Sequence, residues 1–240
     1  IKPQLVHGLE LDETHDVNLD AGRSVVMQVT PIDANHCPGA TMFLLDGYWG
    51  TYLHTGDFRF NAGMLHHPVL QDAEVDTLFI DNSFCDPTFV FPDPKAAVEE
   101  AATIITSHPD HDVVIAIDSL GKERFLWEVG RATGERVLLP SSRAAVLEEL
   151  GDPDIVDWDV FTTITAKARI RVGSRQCVTP AVVKTWNQTR RRPTIAIKPT
   201  GWTCSVENSP SLFHVCYSLH SSYEELKAMI AFVRPRIVVP

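Results

Sequence analysis

Residues 33–59 constrain the fold most, because they predict a β-hairpin flanked by two polar loops. The letters HCPG at 36–39 precede an apolar strand at 40–45, and a shorter strand at 51–53 leads into HTGDFR at 54–59. Proline and glycine in the first loop and glycine in the second favour tight turns. The hairpin is therefore expected to hold both loops at one end of a sheet.

Each of these loops offers one side chain that can bind a metal ion. His36 lies in the first loop and Asp57 in the second. Imidazole and carboxylate suit Zn²⁺, and rigid strands would fix their geometry as a zinc or two-metal hydrolase requires. A buried histidine and an ordinary turn aspartate explain the same residues equally well, so the loops alone leave both interpretations open.

The composition indicates a globular chain with a substantial core. Of its 240 residues, 44% are hydrophobic, which suffices for one large domain or two smaller ones. No apolar run approaches the length of a membrane span, so no membrane association is expected. The five cysteines include no CxxC pair, which argues against a zinc finger or a disulfide framework and fits a reducing compartment. Each cysteine is expected to be a small buried residue.

The charged residues are unevenly distributed along the chain. The net charge is −10, and 28 of the 31 acids precede residue 160. Residues 160–206 contain no acid but nine bases, among them Arg190 and Arg191. Such segregation predicts a local positive surface suited to phosphates, with these two arginines as candidate DNA contacts. A solvated basic face that balances acidic neighbours is the alternative interpretation.

The pattern of predicted elements changes near residue 90, where a second α/β unit begins. Asp93 and Pro94 are predicted to start its first helix, and Ser119 is predicted to cap its second. Ser222 is predicted to cap the last helix of the chain. The predicted helices are 94–107, 119–131, 143–150, 180–187 and a final one after 222. Outside the hairpin, the predicted strands are 24–32, 76–80, 113–117, 168–172, 194–197, 213–217 and 237–239, after a polar connection over 1–23.

Several short motifs resemble those of the β-CASP metallo-β-lactamase DNA nucleases. The two hairpin loops are similar to the third and fourth motifs of that family. Five further blocks follow in the family's order: DNS at 81–83, SLGKE at 119–123, WNQT at 186–189, KPTGWT at 198–203 and YSLHSS at 217–222. The likeness covers nearly the whole chain, and several blocks in register make coincidence a poor explanation.

The resemblance implies a particular α/β fold. It is a metallo-β-lactamase αββα sandwich that lacks its N-terminal part and carries an inserted α/β β-CASP domain. Three segments are accordingly expected. Residues 1–89 would form the first part of the metallo-β-lactamase domain, residues 90–205 the β-CASP insertion, and residues 206–240 the returning part of the first domain.

The resemblance also implies a metal centre. His36, Asp57 and His220 are the implied ligands, with Asp57 bridging two ions and each histidine binding one, so one or two Zn²⁺ ions are expected. Asp81 matches the family's acidic motif and is expected, with Asp57, to be catalytic, because it would orient a ligand imidazole or the attacking water. A turn residue at a strand end is the plainer interpretation of Asp81, and a polar helix start that of His220.

A phosphate pocket is implied in the same way. Ser218 and Thr200 resemble the lining of a pocket for a 5′-phosphate, with Lys122 and Ser119 nearby. Hydroxyl donors and an ammonium group would fix the terminal phosphate so that the next phosphodiester lies over the metals. The strand, turn and helix start around Ser119 is itself a common anion site, although any βα unit supplies one.

The chain also departs from the family. The HxHxDH signature, which supplies most of the family's ligands, is absent, and no two of the ten histidines stand two residues apart. We expect it to precede Ile1, so that these 240 residues are an N-terminally incomplete piece that binds zinc poorly and is inactive alone. Asp118 stands where tyrosine usually precedes the SLGK block, and Leu219 stands where an acid precedes the final histidine.

The resulting hypothesis is a zinc-dependent 5′-to-3′ DNA exonuclease. It would hydrolyse phosphodiester bonds at 5′-phosphorylated DNA ends, in end processing and interstrand cross-link repair, with telomere maintenance as a further role. Its expected partners are DNA and proteins of repair or of telomeres, and its expected location is the nucleus. Three alternatives stay open: a structure-selective DNA endonuclease, an RNA-processing β-CASP nuclease, and a catalytically incomplete scaffold that binds nucleic acid.

Overall fold

The predicted hairpin forms the centre of a six-stranded sheet in the structure, a computed structural model that describes residues 6–20, 22, 24–151, 156–202 and 209–240. Strand β3 (Thr41–Gly47) pairs antiparallel with β4 (Gly50–His54) through a two-residue turn. Met42 and Leu53 point into the core and are fully buried. The hairpin prediction is confirmed. In the KPTGWT block, Thr203 lies outside the described residues.

Four more strands complete this first sheet. They are β1 (His15–Asn18), β2 (Val26–Asp33), β5 (Thr77–Phe79) and β12 (Ile237–Val239), in the spatial order β1-β2-β3-β4-β5-β12. Each adjacent pair among β1 to β4 is antiparallel, whereas β4, β5 and β12 run parallel to one another. The expected polar connection over 1–23 thus contains a strand, β1, which hydrogen bonds to β2 on the sheet edge.

A helix after the last ligand motif covers the core of this sheet. Helix α6 (Tyr223–Val233) begins with a capping box, in which Ser222 and Glu225 bond each other's backbone N–H groups. This arrangement confirms the predicted cap and satisfies two donors that a helix start leaves unpaired. The apolar face of α6 packs Leu226, Met229 and Val233 into the same core as the hairpin. A 3₁₀ turn (Ala62–His66) and the short helix α1 (Pro68–Asp72) complete this part.

The second sheet is entirely parallel. Its strands are β6 (Asp112–Ile117), β7 (Val137–Leu138), β8 (Phe161–Thr162), β9 (Ile170–Ser174), β10 (Thr194–Thr200) and β11 (Leu212–Cys216), in the order β11-β10-β6-β9-β7-β8. The helices between them are α2 (Pro94–Thr106), α3 (Glu123–Thr133), α4 (Ser141–Leu150) and α5 (Pro180–Thr189). Asp93 accepts a hydrogen bond from the Lys95 N–H, which confirms the predicted start of α2.

The return of the chain to the first unit differs from the expected boundary. One unit comprises Ile1–Val90 with Leu219–Pro240, and the other comprises Phe91–Ser218. The expected return at residue 206, with its strand at 213–217, is wrong. The strand is β11, and it pairs in parallel with β10, from Leu212 beside Ala196 to Cys216 beside Thr200. Hydrogen bonding therefore keeps this strand in the second sheet, and the chain re-enters the first unit at Leu219.

The start of α3 also differs from the prediction. Ser119 does not cap it, and the helix begins only at Glu123. Gly121 has φ +88° and Lys122 has φ +65°, so two consecutive residues adopt the left-handed conformation. A helix cannot pass through such residues, and this is why residues 119–122 form a separate turn.

The expectation of small buried cysteines fails for several positions. Cys85 and Cys177 are exposed and Cys37 is half-buried, all three as free thiols. Cys216 is disulfide-bonded. The burial of each cysteine depends on its position in the fold, which the spacing of cysteines in the sequence does not reveal. Among the described helices, none has both the length and the apolar character needed to cross a bilayer.

The buried hairpin supplies a test of the first core. Replacing the fully buried Leu53 by alanine should lower the free energy of unfolding by about 2–5 kcal/mol, because it removes apolar contacts and leaves a cavity. Replacing the exposed Val26, on the strand next to the hairpin, by alanine should change the free energy of unfolding by about 0.5 kcal/mol or less. Urea unfolding followed by fluorescence measures both. Equal losses in the two variants would contradict this description of the core.

Candidate metal centre

Three of the predicted site residues converge in the first unit. His36, Asp57 and His220 each offer one ligand atom, and these atoms lie within 4.8 Å of one another. The His36 Nε2 atom is 3.9 Å from Asp57 Oδ2, and the two imidazole ring centres are 4.6 Å apart. Among the described residues this is the one such group of three metal-binding side chains. The geometry thus brings together residues that are 184 positions apart in sequence.

The first two ligands come from loops that are tied together by hydrogen bonds. Asn35, with φ +52°, turns the chain before His36 and donates a side-chain hydrogen bond to the Arg59 carbonyl at 2.9 Å. The Arg59 N–H in turn donates to the Ala34 carbonyl at 3.0 Å. Because β3 and β4 are antiparallel, the loop before β3 and the loop after β4 meet at one edge of the sheet.

The third loop is held against the second by Ser221. Its N–H donates to the Phe58 carbonyl at 3.1 Å, and its hydroxyl accepts from the Phe60 N–H at 2.9 Å. Ser221 is buried, so these bonds are shielded from water. The capping box of α6 follows directly. His220 therefore lies between a loop that is hydrogen-bonded through Ser221 and the capped start of α6.

The hydrogen bond of His36 defines which of its nitrogens can bind a metal. Its Nδ1 atom lies 2.9 Å from the Leu219 carbonyl oxygen. A carbonyl oxygen only accepts hydrogen bonds, so Nδ1 carries the proton. In the neutral imidazole the lone pair is consequently on Nε2, the atom that faces Asp57.

His220 is oriented by a carboxylate. Its Nδ1 atom is 2.7 Å from Asp81 Oδ2, and the Asp81 side chain is 4% exposed. Burial by itself would raise the pKa of Asp81, but hydrogen bonds from His220 and Ser83 outweigh it and lower the pKa to about 2. Asp81 is therefore an ionised acceptor at neutral pH, which places the proton on Nδ1 and the lone pair of His220 on Nε2.

Asp57 is the accessible member of the group. Its side chain is 67% exposed, and no described residue donates a hydrogen bond to its carboxylate. The preceding Gly56 has φ +53°, a conformation that favours glycine, and so turns the chain towards the two histidines. Two imidazoles and one carboxylate form the ligand set of catalytic zinc sites, in which a fourth position stays open. The residues present therefore fit one divalent ion.

The predicted phosphate residues lie together in the second unit. Thr200 ends β10, Ser218 follows β11, and Ser119 and Lys122 follow β6. These three strands are adjacent and parallel, in the order β11-β10-β6, so their carboxyl ends share one edge of the sheet. This edge, defined here as the carboxyl edge, is where open parallel sheets bind their ligands.

Arg190 and Arg191 do not lie with these residues. They precede β10, which runs from Thr194 to Thr200, and so they lie at the opposite edge of the sheet. A strand of this length spans roughly 20 Å. The Arg190 guanidinium stacks over the Trp186 ring at 4.4 Å. The acid-free stretch therefore does not form one continuous surface with the predicted phosphate residues.

Part of the acid-free stretch is neutralised from elsewhere in the chain. Three of its arginines form ion pairs with acids that precede residue 160: Arg169 with Glu135, Arg175 with Asp118, and Arg192 with Asp112. For these three the alternative interpretation, a basic segment that balances acidic neighbours, is correct. Lys167, Lys184 and Arg191 are exposed and form no ion pair with described residues.

Sequence reasoning missed the residues that hold the loops in place. Besides Asn35 and Ser221, the buried Thr55 accepts from the Asp81 N–H at 3.1 Å and donates to the Gly56 carbonyl at 2.7 Å. An asparagine directly before a ligand histidine was the available signal, because asparagine tolerates the left-handed conformation. Nothing in the sequence distinguished Thr55 or Ser221 from ordinary small polar residues.

The bond between Asp81 and His220 yields a prediction for metal affinity. Asp81→Ala should weaken Zn²⁺ binding by about 10- to 100-fold, because it frees the imidazole to rotate and removes the acceptor that fixes its tautomer. Asp86→Asn, at an exposed position five residues later, should have no effect. Competition with a chromogenic chelator measures both affinities. Equal affinities for the two variants would show that Asp81 does not support the ligand.

The same residue yields a prediction for acid stability. Its folded pKa of about 2 lies below the ordinary value of 3.8, so ionised Asp81 stabilises the folded protein above pH 3.8. That contribution should be lost as the pH falls from about 4 to about 2. The difference in unfolding free energy between the wild type and Asp81→Asn, measured by urea titration at several pH values, should shrink over this range. A constant difference would contradict the assignment.

Comparison with known proteins identifies the relatives of this chain. Residues 158–240 match the family described as DNA repair metallo-beta-lactamase. The 5′ exonuclease Apollo of Rattus norvegicus is 39% identical over 241 residues, covering 100% of this chain and 43% of that protein. The DNA cross-link repair 1A protein of Homo sapiens is 30% identical over 263 residues, covering 100% of this chain and 24% of that protein. The chain thus spans less than half the length of these relatives.

A solved structure supports the fold independently. A protein of unknown function from Enterococcus faecalis V583 aligns with a TM-score of 0.66 and 14% identity, covering 98% of this chain and 61% of that chain. Such a similarity concerns the arrangement of the mixed α/β elements. The family implies a divalent metal, and the cluster of His36, Asp57 and His220 offers a place for it. The chain is therefore a homologue of the Apollo exonucleases and the DNA cross-link repair proteins, and it carries the DNA repair metallo-beta-lactamase domain.

Proposed function

We propose that this chain is the nuclease part of a zinc-dependent enzyme that hydrolyses DNA from 5′ ends. The observation that carries the proposal is the pair of imidazoles with fixed tautomers beside an accessible carboxylate. The homology to proteins named as 5′ exonucleases and as cross-link repair proteins supports a nucleic-acid substrate.

The proposed cofactor is Zn²⁺, held by His36 Nε2, His220 Nε2 and a carboxylate oxygen of Asp57. When bound, zinc supplies Lewis-acid catalysis to the phosphodiester. His36, His220 and Asp57 would hold one ion, and the second carboxylate oxygen of Asp57, to which no described residue donates, would offer a ligand atom to another. A second ion needs further ligands beyond these three.

The remaining residues of the centre act by holding these groups in place. Asp81 keeps the proton of His220 on Nδ1 and also accepts from the Ser83 N–H at 2.9 Å, so the carboxylate itself is anchored. The Leu219 carbonyl does the same for His36. Phe84 packs against His220, with the ring centres 5.9 Å apart, and restricts the rotation of the imidazole. Fixed ligands lower the cost of arranging a site around its substrate.

In the second unit, we assign the carboxyl edge to a 5′-phosphate. The hydroxyl groups of Ser218, Thr200 and Ser119 and the ammonium group of Lys122 are the proposed contacts. Hydroxyl donors and a cation match the acceptor oxygens and the charge of a terminal phosphate. Arg190 and Arg191, at the opposite edge, are assigned to contacts with the DNA backbone away from this terminus.

The proposed setting follows from the relatives. DNA with 5′-phosphorylated ends is the proposed substrate, and interstrand cross-link repair in the nucleus is the proposed process. Telomere maintenance, with partner proteins of repair or of telomeres, extends the same activity. These assignments concern the whole gene product, because the chain covers only part of each relative.

The activity has a direct test in the full gene product. Release of nucleotides from 5′-phosphorylated single-stranded DNA should fall by about 100-fold or more in His36→Ala and in His220→Ala, because each removes a zinc ligand. His66→Ala, at an exposed position outside the centre, should retain the activity. EDTA should abolish cleavage, and added Zn²⁺ should restore it.

Four results would contradict parts of this proposal. Activity that survives EDTA and both ligand substitutions would remove the metal centre from the mechanism. Opening of DNA hairpins without release from 5′ ends would indicate a structure-selective endonuclease. Cleavage of RNA but not of DNA would indicate an RNA-processing enzyme. Binding of DNA by a wild-type protein that lacks all cleavage would indicate a scaffold.

A further inference from the structure

Asp118 occupies a central position on the carboxyl edge of the second sheet. It directly follows β6, and in the register of the sheet it lies beside Arg175, which directly follows β9. The turn that contains Ser119 and Lys122 begins at the next residue. A carboxylate at the centre of a proposed phosphate site is unexpected, because it repels the ligand.

The carboxylate of Asp118 holds two cations at once. Its Oδ1 atom is 2.8 Å from Arg175 Nε, and its Oδ2 atom is 3.1 Å from Lys122 Nζ. Burial would raise the pKa of Asp118, but the bonds and charges of Lys122 and Arg175 lower it, so the group is ionised at neutral pH. Two oxygens that each bind one cation reproduce the contacts that a phosphate would make with the same pair.

The backbone of this turn is fixed, whereas the carboxylate is accessible. Arg143, which is buried and paired with Glu123, donates one hydrogen bond to the Asp118 carbonyl and another, at 3.3 Å, to the Gly121 carbonyl. The Asp118 side chain is 42% exposed. Displacing it from Lys122 and Arg175 therefore needs only a side-chain rotation towards water, and the pair with Arg175, whose side chains are 41% and 42% exposed, is of the weak, exposed kind.

The charge of this edge still favours an anion. Lys198 lies on the same strand and face as Thr200, two residues earlier, and is half-buried. It forms no hydrogen bond or ion pair with described residues, and burial and the charge of Arg175 lower its pKa. Lys122 and Arg175 thus bind one carboxylate, and Lys198 lies near enough to Arg175 to feel its charge. An incoming phosphate that displaces Asp118 would find these two cations in place and a third cation nearby.

We propose that Asp118 is an internal substitute for phosphate, which occupies Lys122 and Arg175 until a terminal phosphate of nucleic acid displaces it. This inference rests on the phosphate-binding role proposed for the carboxyl edge. Asp118 thereby sets how strongly the protein distinguishes a phosphorylated end from a hydroxyl end. The neutral asparagine in its place leaves both cations available and strengthens the discrimination.

Binding without cleavage tests this role. Fluorescence anisotropy in EDTA gives the Kd values of single-stranded oligonucleotides with a 5′-phosphate and with a 5′-hydroxyl. The Kd of the hydroxyl form divided by the Kd of the phosphate form measures the discrimination. Asp118→Asn should raise the ratio by about two- to tenfold, because it removes the carboxylate that competes with phosphate for Lys122 and Arg175. Asp110→Asn changes the net charge equally but lies at the opposite edge of the sheet, and it should leave the ratio unchanged.

The outcomes separate this inference from the proposed function. A wild-type ratio of one would overturn the phosphate site, and this inference with it. A wild-type ratio above one that stays the same or falls in Asp118→Asn would overturn the role of Asp118 alone, because the carboxylate would then position Lys122 rather than compete. If circular dichroism shows that Asp118→Asn is unfolded, Asp118→Ser removes the same charge and decides the question.

Discussion

The metal centre depends on hydrogen bonds between loops rather than on the ligands themselves. Three segments, around residues 36, 57 and 220, are held together by backbone groups and by three short polar side chains. Asn35 ties the first segment to the second, and Ser221 ties the third to the second. Asp81 then accepts from both the Phe58 N–H and His220. Since these groups are partly or fully shielded from water, an unpaired partner would be costly, and the ligand positions are accordingly well defined.

Sequence reasoning reached the parts of this structure that local chemistry determines. The hairpin, the cap of α2, the capping box of α6 and the final strand follow from patterns within a few residues. The ligand set came from resemblance, and the structure brings its members together. What failed depended on distant partners: β11 was assigned to the wrong sheet because its apolar pattern does not specify a neighbour. Ser119 was taken for a cap because the left-handed conformation of Lys122, a residue that rarely adopts it, has no local signal.

Charge in the second unit illustrates why counts along a sequence mislead. A stretch without acids suggested a continuous positive surface, yet Glu135, Asp118 and Asp112 neutralise three of its arginines across the sheet. Parallel strands place the start of one segment beside the start of another, so residues that are far apart in sequence become neighbours. Part of the positive charge that is left lies at two different edges of the sheet, with Lys198 near the carboxyl edge and Arg191 at the opposite one.

The contact between His36 and Leu219 uses a main-chain oxygen, and this determines which substitutions position 219 tolerates during evolution. Every amino acid carries the same carbonyl group, so the imidazole receives its acceptor whatever side chain position 219 bears. An acid, an aliphatic residue or an amide can therefore replace one another there without disturbing the histidine. Descendants of a common ancestor could exchange this residue freely while keeping the ligand tautomer, whereas the carboxylate at position 81 has no such latitude.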